Sequence, residues 1–166
     1  MLVAFYSKGA DSRHLFENMK VASPPEETKE QELAVYRQHR NQWDVLFWDM
    51  TWFISNAERI EDTIPNLQSD ILEELKKEFP DCIQRDRIPL PEALLNISAR
   101  TGRKFYIIID EWDALFREAK DHIELQKAYI QLLRGLFKGG QVSRFLGGAY
   151  MTGILPIAKY SSGSEL

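Results

Sequence analysis

The chain has 166 residues, 44% of them apolar and 28% charged, which is one domain's worth with material for a real core and excludes global disorder. Its 25 acidic residues exceed the 21 basic ones, giving a net charge of −4 without the electrostatic footprint of a protein that coats nucleic acid, so a nucleic-acid partner is not supported. Cys82 is the only cysteine, which rules out an internal disulfide and a thiolate zinc site, and no stretch approaches the roughly 20 apolar residues of a membrane span or makes a secretory signal, so a cytoplasmic location is expected.

At the amino end Leu2, Val3, Phe5 and Tyr6 read as the last turns of a helix with no capping residue before it, closed by Gly9. A second short helix is expected after Asp11 or Ser12, with Leu15, Phe16 and Met19 on one face. The polar, proline-broken "ASPPEETKEQ" reads as a loop. From Trp43, "WDVLFWDM" is a short apolar run with bulky residues on both faces, as a strand covered on both sides needs, and Asp49 lies near its end.

Leu67, Ile71, Leu75 and Phe79 recur every fourth residue, so "IPNLQSDILEELKKEFP" is an amphipathic helix stopped by Pro80. Pro91 and Gly102 bracket another helix, "PEALLNISARTG". A strand from Phe105 to Ile109 follows, too continuously apolar to be half exposed. Ile123, Ile130, Leu133 and Phe137 then mark a helix ended by "KGG", and "RFLGGAYMTGIL" is a strand interrupted by Gly147 and Gly148, with polar Thr152 at its end. The four tryptophans, Trp43, Trp48, Trp52 and Trp112, are expected mostly in the core.

Strands separated by helices of this length argue for a parallel α/β sheet, whose ligands bind beyond the carboxyl ends of the strands. Three strands end there in polar groups: Asp49, the Asp110 and Glu111 pair, and Thr152. An apolar run followed by Asp-Glu has the form of a Walker B element, with Asp110 placed to hold Mg²⁺ and Glu111 to orient or deprotonate a water. Equally, a buried strand must end somewhere, and Asp110, Glu111 or Asp113 would cap the helix running through Ala114 and Phe116. On the strand alone the two readings weigh the same.

Other chemistries find less support. A PD-(D/E)XK nuclease site needs a lysine two places after its second acid, and Trp112 stands there after Asp110, although Pro80 and Asp81 supply a "PD". His14, His39 and His122 share no ligand spacing, and no nucleophile elbow accompanies them.

Taken together, "YSKGADSRHLFENMKVA", "WDVLFWDMTWF", "FYIIIDEWDALFREAKD", "YIQLLRGLFKG" and "AYMTGILPIAKY" resemble the AAA-ATPase-like domain of bacterial proteins that often carry a PD-(D/E)XK nuclease-like domain downstream. The resemblance covers nearly the whole chain. It implies a P-loop NTPase of the ASCE/AAA-like branch, ATP and Mg²⁺ as cofactors, Asp110 as the metal-serving Walker B aspartate, Glu111 as the catalytic acid that activates water, and Thr152 as a sensor-like residue for the terminal phosphate. Trp112 and Asp113 belong to the family's look without an assigned role.

The departure is that no G-x-x-x-x-G-K-[ST] occurs in the sequence. The resemblance places that loop just before a helix within which Met1 falls, and "YSSGSEL" stops short of a further strand. Residues 1–166 therefore read as a partial domain, with the phosphate loop and first strand missing upstream and the last strand and any nuclease-like domain missing downstream. Of the usual strand order 5-1-4-3-2, the contiguous part 4-3-2 remains. That puts the Phe105 strand between those at Trp43 and Arg144 and leaves an apolar edge on the last, open to a protein partner or self-association. With one carboxylate and no phosphate cradle, ATP and Mg²⁺ are not expected to bind this chain alone. Three functions remain open: an incomplete ATPase module, a non-catalytic interaction domain retaining the NTPase fold, and, least supported, a metal enzyme built on Asp49, Asp110 and Glu111.

Overall fold

A computed structural model describes residues 1–85 and 87–155 of the chain, which form two compact units divided between Val45 and Leu46. The "YSSGSEL" segment of the sequence reading lies outside the described residues. Among the described residues no helix is long and apolar enough to cross a membrane.

The first unit contains α1 (Leu2–Tyr6), α2 (Arg13–Phe16), a 3-10 turn at Lys20–Ala22 and α3 (Lys29–His39). Its centre is aromatic, with the Phe5 ring centroid 5.1 Å from that of Phe16 and 5.6 Å from that of Tyr36. Asn41 ties the ends together. Its side-chain amide donates to the carbonyls of Ala4 and Ser7, at 3.0 Å each, and its carbonyl oxygen accepts the Ser12 hydroxyl at 3.1 Å.

Three expectations are corrected in this unit. α1 ends at Tyr6 and not at Gly9, because Ser7 is already extended and bridges to Trp43. Ser12 stands at the N-cap of α2 but its hydroxyl is spent on Asn41, and of the expected face only Phe16 is buried. α3 has no counterpart in the sequence reading, and its first residues, Lys29 to Gln31, fall in the supposed loop. Only Tyr36 of this helix is buried, so it carries no apolar period to be read.

β1 (Asp44–Asp49) leads into the second unit, followed by α4 (Met50–Asn56), a 3-10 turn at Ile60–Asp62, α5 (Thr63–Glu78) and α6 (Leu90–Thr101). Then come β2 (Phe105–Asp110), α7 (Ala114–Glu118), α8 (Ile123–Phe137), α9 (Val142–Phe145) and β3 (Leu146–Met151). The strands form a parallel sheet in the order β1-β2-β3, so the fold is α/β and the Phe105 strand occupies the middle, as the order 4-3-2 requires.

The centre of this sheet follows from the sequence with little help. Ile107 and Ile109 on one side of β2 are fully covered and Ile108 on the other nearly so, which is why the run is continuously apolar. α5 packs Leu67, Ile71 and Leu75 inward and ends one residue before Phe79, where the following Pro80 disfavours helical backbone. α6 has Pro91 in its first turn and closes at Gly102 in the left-handed region, whose amide bonds to Ser98 O at 2.9 Å.

The edges depart from expectation. β1 buries Leu46 and Trp48, but Phe47 between them is 50% exposed, so the strand alternates instead of being covered on both sides. Trp48 and Trp112 are core, whereas Trp52 is 54% exposed, because it lies on α4 just past the strand. α8 turns Leu125, Tyr129, Ile130, Leu132, Leu133 and Leu136 inward, so Ile130 and Leu133 face the core as expected, whereas Ile123 lies at the surface and Phe137 is only half-buried. β3 begins at Leu146, not Arg144, since residues 142–145 form the helical turn α9. The register shifts by one residue between the Phe105–Leu146 and Tyr106–Gly148 pairs, and the Tyr106 ring lies so close over Gly148 that a Cβ there would overlap it.

Tyr129 in α8 is fully buried, and its hydroxyl has no hydrogen-bond partner among the described residues. Burial, and secondarily the Asp113 carboxylate, push its phenol well above the usual range. The native state therefore keeps this proton at pH values where the unfolded chain releases it, and the phenol's contribution to stability, complete below about pH 10, is lost as pH rises further. Tyr129→Phe is expected to raise the unfolding free energy near pH 7 by about 1 kcal/mol and to flatten its decline above about pH 10, read from urea denaturation at the two pH values.

Candidate functional site

The parallel register brings β2 and β3 to the same rim of the sheet, with Ile109 opposite Met151 as their last pair. Backbone bonding continues past both strands. The Thr152 amide donates to Ile109 O, and the Trp112 amide to Thr152 O, each at 2.9 Å. These bonds place the three predicted site residues together. The Thr152 hydroxyl donates to Asp110 Oδ1, and the Glu111 amide lies 3.2 Å from the same carboxylate oxygen and 3.3 Å from Thr152 Oγ1.

Glu111 has φ of +49°, in the left-handed region that a residue with a Cβ enters at a cost of about 1 kcal/mol. The chain thus turns sharply where it leaves the strand. Asp113, two residues later, is fully buried and holds this turn together. It sits at the N-cap position of α7, but its carboxylate makes no capping bond there. Instead Oδ1 accepts the Ile154 amide and Oδ2 the Leu155 amide, each at 3.1 Å, which fastens the chain beyond β3 to the chain beyond β2.

Between those two amides and β3 lies Gly153, where a Cβ would stand 2.6 Å from Trp112 Cδ1 and closer still to Asp113 Oδ1. Only a residue without a side chain lets the backbone come this near. Arg117, one turn into α7, completes the group: its Nε donates to Asp113 Oδ2 at 3.0 Å and its Nη2 to Glu111 Oε2. The Asp113 side chain is wholly covered, whereas those of Arg117 and Glu111 remain about one third accessible.

Asp49 ends its strand as expected, but its Oδ1 is engaged by the Thr51 amide at 2.8 Å and hydroxyl at 2.6 Å, so it caps α4. The capping explanation therefore fits the first strand and not the second. His122 pairs with Glu61 at 3.2 Å, and no group of three or more His, Cys, Asp or Glu side chains that could hold a metal occurs among the described residues.

The donor set nevertheless suits Mg²⁺ as a shared ion. Asp110 offers a hard carboxylate oxygen beside a threonine hydroxyl, and Mg²⁺ in phosphate-handling sites takes one or two protein oxygens together with phosphates and water. A triphosphate finds less: a glycine-rich loop with its lysine is not part of the sequence, so these residues do not by themselves fit the nucleotide.

Arg117 is a residue of this site to which the sequence assigned no role, and Asp113 was offered only as a cap for the following helix. Their i, i+4 spacing on an incipient helix was legible, but such pairs are common on solvated faces. What distinguishes this one is that the acid is buried, which depends on the strand next door. A family model described as Predicted AAA-ATPase matches residues 1–162. No curated protein and no solved structure matches the chain.

Asp113→Ala would leave two amides and a guanidinium without their acceptor at a place water reaches poorly. It is expected to lower the unfolding free energy by about 2–3 kcal/mol in urea denaturation. Asp113→Asn, which keeps one acceptor oxygen, should lose less.

Proposed function

The chain belongs to the family described as Predicted AAA-ATPase, and on that premise we propose that Asp110, Glu111 and Thr152 form the metal- and water-handling rim of an ATP-hydrolysing P-loop domain. The observation that carries this reading is the bonding of the Thr152 hydroxyl and the Glu111 amide around Asp110 Oδ1, at the carboxyl ends of neighbouring parallel strands. A strand end that merely stopped would need no such convergence.

In this reading Asp110 is the Walker B aspartate that serves Mg²⁺, directly or through water. The ion, when bound with ATP, neutralises charge developing on the phosphates. Glu111 orients or deprotonates the attacking water, for which the positive φ carries its backbone out of the strand. Thr152 is the sensor-like residue. Its single hydroxyl proton is donated to Asp110, so the end of β3 is bonded to the metal-serving acid.

Residues 1–166 make up a partial AAA-ATPase-like domain in this proposal, with the phosphate loop and first strand contributed by sequence outside them. Turnover would move or gate an attached part, such as a nuclease-like domain, in the cytoplasm. The alternative reading, a non-catalytic interaction domain that retains the fold, draws its support from β3, whose Tyr150 is 47% exposed on the outermost strand of the described sheet. A glycine-rich G-K-[ST] segment in frame upstream of Met1 favours the first reading.

Two measurements test it. In the protein with its phosphate loop, Glu111→Gln is expected to keep ATP binding and lower hydrolysis by about two orders of magnitude or more, because an amide cannot accept the water's proton. Unchanged turnover would remove Glu111 from the mechanism. The purified 166-residue chain is expected to show no micromolar ATP binding by calorimetry, with or without Mg²⁺.

A further inference from the structure

Arg117 holds two acids that differ in how easily they can be released. Asp113 is wholly buried and also anchors the amides of Ile154 and Leu155, so a guanidinium that left it would strand a buried charge. Glu111 stands on the accessible side, and its ion pair with Arg117 is only part-buried, so separating that pair costs little. Arg117 is therefore a fixed post, and Glu111 is the member free to swing.

The geometry also concerns what Glu111 can do while held. While Nη2 holds Oε2, that oxygen is committed to the guanidinium and Oε1 is left to meet a water. Glu111 is further fixed at its backbone by the left-handed turn and by its amide, which points at Asp110 and Thr152. Only the side-chain torsions are left to move the carboxylate between Arg117 and the rim.

We propose that Arg117 is a positioning residue that parks the Glu111 carboxylate by one oxygen, so that turnover is favoured when Glu111 leaves Arg117 while buried Asp113 keeps Arg117 in place. This rests on the reading of Glu111 as the water-activating residue. Arg117 contacts no reacting atom in this scheme. It sets the fraction of time for which Glu111 is free.

The test is steady-state ATP hydrolysis by the protein with its phosphate loop, comparing Arg117→Gln, Arg117→Lys, Glu111→Gln and the Arg117→Gln, Glu111→Gln double variant. Glutamine keeps an amide donor for Asp113 without a cation for Glu111. It is expected to raise kcat about two- to fivefold, the scale of one part-exposed ion pair, with KM for ATP unchanged within about twofold. Arg117→Lys keeps a charge for Asp113 but lacks the planar fork, and a smaller rise is expected. Should the glutamine variant fail to fold, the lysine variant decides in the same sense.

The rise must vanish when Glu111 is already glutamine. A folded Arg117 variant with unchanged or lower kcat, or a rise that survives in the double variant, overturns the parking role while leaving the ATPase reading intact. Unchanged turnover in Glu111→Gln alone overturns both.

Discussion

One buried carboxylate organises the rim of this sheet. Asp113 lies past the end of β2, and its two oxygens reach the backbone beyond β3 on one side and Arg117 on the other. An acid enclosed in protein is tolerated only where its charge and lone pairs are met, so its position constrains everything it touches. The turn after Met151 cannot drift from the turn after Asp110. Gly153 must lack a side chain, and Arg117 must lie along α7 in a fixed direction. The meeting of Thr152 with Asp110 is downstream of this clamp.

The consequence for chemistry is a division of labour among three acids within four residues. Among the described residues Asp110 is bonded by a hydroxyl and an amide, Asp113 by two amides and a guanidinium, and Glu111 by a guanidinium alone. The number of these partners orders their freedom: Asp113 is the most restrained, Asp110 less so, and Glu111 the least. The same acids read as a bare sequence look interchangeable. Their partners, supplied by the neighbouring strand and the next helix, make them different.

Much of the fold was legible because the relevant residues lie in strongly patterned elements. α5 and α6 announce themselves by four-residue spacing and by proline and glycine at their ends, and β2 by an unbroken apolar run that only a strand covered on both sides could use. The weakly patterned parts were not. α3 buries one side chain and carries no period, and α4 and α9 are too short for a period to repeat, whereas α7 lies where a helix through Ala114 and Phe116 was expected. On α8 the expected stripe meets the core at Ile130 and Leu133 but not at Ile123, since leucines, isoleucines, a tyrosine and a phenylalanine crowd the helix and more than one stripe can be drawn through them. Trp52 was misplaced because bulk alone does not say which side of a strand end a residue faces.

The central place of the Phe105 strand followed from the family resemblance; by itself the sequence determined the α/β class and the identity of Asp110, Glu111 and Thr152 as strand-end polar groups. Those are properties of local pattern, of hydrophobic runs and their stops, which survive without knowledge of neighbours. Only the tertiary structure decided that Asp49 caps a helix while Asp110 meets Thr152, and that Asp113 is buried and Arg117 spans two acids. The meeting of Asp110 with Thr152 and the enclosure of Asp113 depend on which residues β2 and β3 bring within hydrogen-bond reach across about 40 positions of chain. No local pattern carries that information, because the register and the one-residue shift at Gly147 set it.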